Sequence, residues 1–376
     1  MPLAVELGAF GTFGFMWGSF AVLLADLSRF LDLSPGPLGL ALSGGMLASF
    51  PTMAFGGRAA DRWGHRPLLL SSGSVLGVGF AGLAFVGSYA ALFTALLVLS
   101  AASGVYDVGI NAAAMDLEQV AGRRFMAVLH AAFSGGGAVG ALVAGALISA
   151  GVDFRHVYLV ALIPLGTVIL AVALTRFPSI RDPLMEMPES DRVGFYKNLP
   201  LLIIALITAL VFLSEGAMED WSGIYLRQTL ALPALLGASG VAVFHASMAV
   251  GRLCAAGAIN RFGNHRTLQM TGLLAAGGMA FALATQEPSL VVAGFLVVGL
   301  ALAAVAPIAF SLAGDIAPNR VGGASSVVTI FGYGGVLLGP VIVGGLAELY
   351  GLRAALSVIA VAGLLVFALS LRTKGS

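Results

Sequence analysis

Apolar runs of about twenty residues recur along the whole 376-residue chain, separated only by short Gly, Pro and charge breaks. Each run is long enough to cross about 30 Å of hydrocarbon as a helix. Helices are expected near 4–26, 36–57, 67–86, 90–113, 125–149, 156–176, 199–221, 233–257, 266–285, 289–312, 323–346 and 353–371. Backbone polar groups inside lipid must be satisfied within each segment, so helices of this length are the natural solution. With 59% hydrophobic and 10% charged residues, against about 25% charged in a soluble domain, the chain reads as an all-α polytopic membrane protein. A secretory signal would be one short apolar stretch before a polar chain, whereas the first run here is followed by eleven of similar length.

Twelve spans place both termini on one side. Taking that side as the cytoplasm, fifteen of the nineteen Lys and Arg residues fall at cytoplasmic ends, among them Arg58, Arg62, Arg66, Arg123, Arg124, Arg261 and Arg320; Arg29, Arg155, Arg227 and Arg353 fall outside. This bias orients the chain in the cell (inner) membrane with both termini in the cytoplasm. The one long polar stretch, 178–198, divides an N-terminal bundle (1–177) from a C-terminal bundle (199–376). The second bundle echoes the first at an offset of 199 residues: DRWG at 61–64 maps onto NRFG at 260–263, Asp116 onto Asp315, and Gly140 onto Gly339. Six helices in duplicate is the plan of transporters whose substrate binds near mid-membrane between the halves.

Several classes are excluded. Cys254 is the only cysteine, so it supports neither an intrachain disulfide nor a thiolate metal cluster. A net charge of +1 gives no reason to invoke nucleic acid. No G-x-x-x-x-G-K-[ST] phosphate loop occurs, so no ATP-driven step is expected and energy must come from an ion gradient. No cofactor is expected, and the five histidines are too scattered for a catalytic constellation. The expected partners are a small solute, protons and lipid, and the expected assembly is a monomer.

The stretch GGRAADRWGHRP (56–67) concentrates charge between two apolar runs. Gly57, Asp61, Arg62, Gly64 and Arg66 resemble the G-x-x-x-D-R-x-G-R-R loop of the major facilitator superfamily, with His65 in place of the first terminal Arg. Finer stretches, GVYDVGINAAAMDLE (104–118), VLHAAFSGGGAVGAL (128–142), EGAMEDWSGIYLR (215–227) and GRLCAAGAINRFG (251–263), resemble its rhizopine-transporter-like (MosC-type) branch, related to fucose permeases. Span one departs, because GSFAVLLADL (18–27) lacks the Trp and Pro of that pattern. The resemblance implies the major facilitator fold and alternating access of a sugar-like or inositol-like solute. It also implies that Asp61 meets the start of span eleven, where a helix N-terminus favours an anion, and latches the outward-open state. The gating set is then Gly57, Asp61, Arg62, Gly64 and Arg66, with Asn260, Arg261 and Gly263 in a second copy that lacks the acid.

Ionisable residues inside spans are costly and so mark function by default. Gly104, Asp107 and Asn111 share one face of span four, and the repeat positions of the last two are Ala306 and Phe310, so the acid belongs to the N-terminal half alone. His130 and Ser134 follow helical spacing on span five with Gly137 and Ala141; Glu215 lies in span seven and His245 near the middle of span eight. Asp107, Asn111, His130, Ser134, Glu215 and His245 are therefore the candidate solute or proton ligands. Asp220, Trp221 and Tyr225 are expected at the outer end of span seven, as an outer gate or an aromatic belt. Arg252 is too deep to snorkel and calls for a partner across the bundle. The leading function is proton-coupled secondary transport of a small polar solute. The alternatives are efflux by proton antiport and a transport-dead sensor; a variant of the efflux-type G-x-x-x-G-P-x-x-G-G pattern, GVLLGPVIVGG (335–345), sits on span eleven rather than on span five.

Overall fold

The computed structural model describes residues 2–177, 198–317 and 320–373, the side chains of Val321 and Gly322 excepted. Eleven helices in it are long and apolar enough to cross a membrane, running from Pro2–Phe30 to Leu352–Ser370. The longest, Ala234–Ala284, is broken at Gly263 (φ 76°, ψ 164°) and comprises two spans, which makes twelve. Of the basic residues used to orient the chain, Arg181, Arg192, Lys197 and Lys374 lie outside the described residues.

Several helices outrun the expected bounds. Span four is Tyr89–Ala121 and span eleven is Val321–Tyr350. At 1.5 Å per residue a helix of about thirty residues is some 45 Å long, so its ends project through the headgroups. The stretch read as a connecting loop is also mostly helical. Span two comprises Pro35–Met46 and Ser49–Trp63, and span three begins at His65, so the turn reduces to Gly64 (φ 81°, ψ 167°). Gly64 and Gly263 stand 199 positions apart with nearly the same left-handed backbone. A side chain is strained at that φ, so the glycine rather than the charges makes the reversal possible.

Spans one and seven, two and eleven, and five and eight bring the two sets of six together. The face carrying residues 2, 177, 198 and 373 is the linker face; the opposite one is the far face.

Candidate solute cavity between the halves

A cavity of about 210 Å³ lies at mid-depth between the two sets of helices. Spans one, two, four and five contribute Phe13, Trp17, Met46, Ser49, Met53, Ser100, Ser103, Gly104, Asp107 and Phe133; spans seven and eleven contribute Gly216, Glu219, Asp220, Tyr333 and Val336. Its polar groups are thus three carboxylates and a set of hydroxyls, set among four aromatic rings. Among the described lining residues there is no Lys, Arg or His. A wall of this kind accepts hydroxyl donors and repels anions.

Asp107 is held in place from both halves. Its Oδ2 accepts a 2.7 Å hydrogen bond from the Tyr333 hydroxyl on span eleven, and its Oδ1 accepts a 3.1 Å bond from Asn111 Nδ2 one turn on. Asn111 also donates to the Asp107 carbonyl at 2.9 Å. It orients the carboxylate from behind and is absent from the cavity wall.

The other candidates gather beside the cavity. His245 Nε2 lies 3.5 Å from Glu219 Oε1, an approach too long for a hydrogen bond, and both atoms are buried without another partner. The bare Cα of Gly137 makes room for the His245 ring: a Cβ there would stand 2.7 Å from Nδ1. Arg252 finds the partner its depth calls for. Its Nη2 is 3.9 Å from Glu215 Oε2, and its Nη1 crosses to span five, donating to Ser134 Oγ at 2.5 Å and to the His130 carbonyl at 3.2 Å. The His130 ring packs edge-on against Phe10, with centroids 5.4 Å apart. None of His130, Ser134, Glu215 and His245 is among the lining residues.

Trp221 and Tyr225 are fully buried, which removes the aromatic-belt reading. The helix continues through Ile224 into a π-turn at Tyr225–Thr229, so these rings pack within protein rather than at a lipid interface. Asp220, one residue earlier, faces the cavity.

Across the far face the halves are tied by polar contacts. Arg227 donates two hydrogen bonds to Asp26, one of them 2.9 Å from Nη2 to Oδ1. Gln228 donates to Ser28 Oγ at 3.1 Å. Glu348 accepts a 2.9 Å bond from the amide of Gly36, supplying the cap that Ser34 does not give to span two. Ser149 Oγ accepts from the amide of Leu235. On the linker face, Arg58, Asp61 and Arg62 are exposed, and a Cβ at Gly57 or Gly64 would meet open space. His65 is different: buried, it lies 2.7 Å from Asp116 Oδ2.

Several residues here escaped the sequence reading. Trp17 stands one position before the stretch judged to lack a Trp, and it lines the cavity with Phe13. Asp26 and Arg227 carried a legible signal, opposite charges at nearly equivalent ends of spans one and seven. Glu6, an acid inside span one, is fully buried with both carboxylate oxygens unpartnered. Tyr333 left no trace in the sequence, because its role depends on which helix faces Asp107.

The chain matches the family model described as Major Facilitator Superfamily over residues 7–286 and 241–375, and it belongs to that superfamily of membrane transporters. It is similar to an uncharacterized MFS-type transporter of Yersinia pestis (29% identity, 94% of this chain and 90% of the relative) and to the membrane protein MosC of Rhizobium meliloti (29%, 93% and 84%). It also resembles an uncharacterized transporter of Sinorhizobium fredii (32%, 90% and 88%). Among solved structures, a mutant of the nucleoside transporter NupG superposes with a TM-score of 0.82 at 17% identity, covering 99% of both chains. A bacterial homologue of the human lysosomal transporter Spinster, described as inward-facing and unoccupied, gives 0.79 at 15% identity, covering 100% of this chain and 98% of its own.

Proposed function

We propose that this transporter moves a small hydroxylated solute, sugar-like or inositol-like, by alternating access coupled to protons. The observation that carries the reading is Asp107: one ionisable side chain both faces the central cavity and bonds to Tyr333 of the opposite half. Adding a proton there changes the charge seen by the solute and the contact between the halves together, which is the minimum that coupling needs. A cavity of about 210 Å³ is smaller than the 300–1,000 Å³ of pockets for drug-sized ligands. Serine hydroxyls and carboxylates suit a solute rich in hydroxyl groups. The likeness to MosC and the fold shared with a nucleoside transporter, whose substrates carry a hydroxylated ring, are in line with this class.

With the linker face in the cytoplasm, where the Lys and Arg bias puts it, the arrangement described above is the state closed to the outside. The decisive experiment is a solute screen in proteoliposomes with and without a pH gradient, recording proton flux alongside solute uptake. Uptake of polyols or sugars accompanied by protons supports the reading; solute movement indifferent to the gradient overturns the coupling.

Two substitutions probe the parts. Glu215→Gln removes the countercharge of Arg252 and is expected to change the pH profile or KM of uptake severalfold; wild-type values in both would make Glu215 purely structural. Asp61→Asn is expected to slow transport severalfold without changing solute preference, because Asp61 is assigned to the latch of the opposite, outward-open state. Altered selectivity in competition assays would remove it from that role.

A further inference from the structure

A second, smaller pocket of about 130 Å³ opens at the linker face of the C-terminal half, apart from the solute cavity. Ile204, Leu312 and Ile316 form its apolar wall, and His265, Arg372 and Thr373 its polar one. The 199-residue repeat supplies an internal control. In the N-terminal half, Arg66 donates to the carbonyl of Ala173 and so bridges the corresponding helix ends. The equivalents of Arg66 and Ala173 are His265 and Arg372. The second copy thus shortens the bridging side chain and moves the guanidinium to the rim.

Hydrogen bonding fixes the chemistry that faces inward. The Thr373 hydroxyl donates to the Ser370 carbonyl at 2.7 Å, so toward His265 Nδ1, also at 2.7 Å, it can only accept. Nδ1 therefore carries the ring proton, and Nε2 is the nitrogen left for a ligand, a second donor when the ring is charged. Among the described residues the Arg372 guanidinium makes no hydrogen bond or ion pair and no acid lines the pocket; the acid nearest in sequence to its lining, Asp315, is exposed.

We propose that this pocket is a phosphate site, filled by the headgroup phosphate of an anionic phospholipid in the adjoining leaflet or by a free phosphate ion. Arginine and imidazolium donors give phosphate charge-assisted hydrogen bonds, and basic pockets between helix ends are where lipid headgroups bind. At about 30 Å³ per water the volume equals some four waters, enough for a phosphate and its first ester carbon. The apolar wall suits glycerol and the first methylenes. A choline lipid fits poorly, since its ammonium would approach Arg372.

The test uses the full chain in nanodiscs of phosphatidylcholine, with or without phosphatidylglycerol. Phosphatidylglycerol is expected to raise the thermal midpoint, and Arg372→Gln and His265→Ala are each expected to remove most of that rise while matching the wild type in phosphatidylcholine alone. A variant carrying Arg123→Ala and Arg124→Ala, basic residues elsewhere on the same face, should keep it. Inorganic phosphate titrated onto phosphatidylcholine discs separates the sources: a rise that depends on Arg372 assigns the site to the free ion. Should the variants fold poorly, native mass spectrometry of the wild type should find one phosphatidylglycerol retained roughly tenfold more than phosphatidylcholine, or phosphate retained in its place. The proposal fails if neither probe binds, if binding survives in both pocket variants, or if the Arg123 and Arg124 variant loses it equally.

Discussion

Replacing Asp107 with Asn is expected to reduce concentrative uptake in proteoliposomes to simple equilibration while leaving solute exchange at a sizeable fraction of the wild-type rate. The amide keeps the size of the side chain; its one oxygen can accept from Asn111 while its NH2 donates to the Tyr333 hydroxyl, so both partners that hold the carboxylate at 2.7 and 3.1 Å keep a contact. What it loses is the ability to alternate between a charged and a neutral form. A charged group at mid-membrane is costly enough for its protonation to redistribute states differing by a few kcal/mol, and each 1.4 kcal/mol is a factor of ten. A permanently neutral residue offers no such change, so a proton gradient has nothing to act on. Tyr333→Phe separates coupling from contact. It removes the bond between the halves but leaves the acid, so accumulation should persist with a shifted pH profile. Undiminished accumulation by Asp107→Asn would take the residue out of coupling; loss of exchange as well would make it a solute ligand first.

Legibility followed physical range. Span number depends on apolar runs along one chain, and it was readable. Asp107 was readable as a cavity acid, because an acid inside a span announces itself; Glu215, read the same way, is absent from the cavity wall and lies 3.9 Å from Arg252. The extent of span two was not, since charged residues end the hydrocarbon core without ending the helix; hydrogen bonding continues through Arg58, Asp61 and Arg62 until Gly64 reverses the chain. Trp221 and Tyr225 show the same limit from the other side. Position along a helix suggested an interface, but burial is decided by neighbouring helices, here closely packed span eleven: a Cβ at Gly344 would lie 3.2 Å from the Trp221 ring. Tyr333 belongs to the site through its approach to Asp107 across the two halves, which no single-helix pattern encodes.

The far-face contacts lead to the second large expectation. Arg227 and Asp26 form a two-pronged pair with side-chain exposures of 7% and 17%, so both charges are largely withdrawn from water. Breaking a buried pair by removing one partner costs about 3–5 kcal/mol, because the other charge is left uncompensated. Asp26 also lies near Arg29, at 3.9 Å, and keeps some exposure, which places this pair toward the lower end. The contact joins the halves, so the penalty falls on the state closed at the far face and spares the state in which the ends have parted. About 3 kcal/mol moves that equilibrium by roughly 150-fold. Asp26→Asn and Arg227→Gln are each expected to populate far-open molecules. The double variant should move less than the sum of the two, because it leaves no orphaned charge. Spin labels at Gly87 and Gln286, exposed and equivalent positions on the far face of the two halves, would report the separation in a background where the single cysteine, Cys254, is replaced by Ser. Longer distances in both single variants and a partial return in the double variant are the expected pattern. Unchanged distances would mean that the closed state rests on the apolar packing of spans one and seven, and the charges would then serve only to align it.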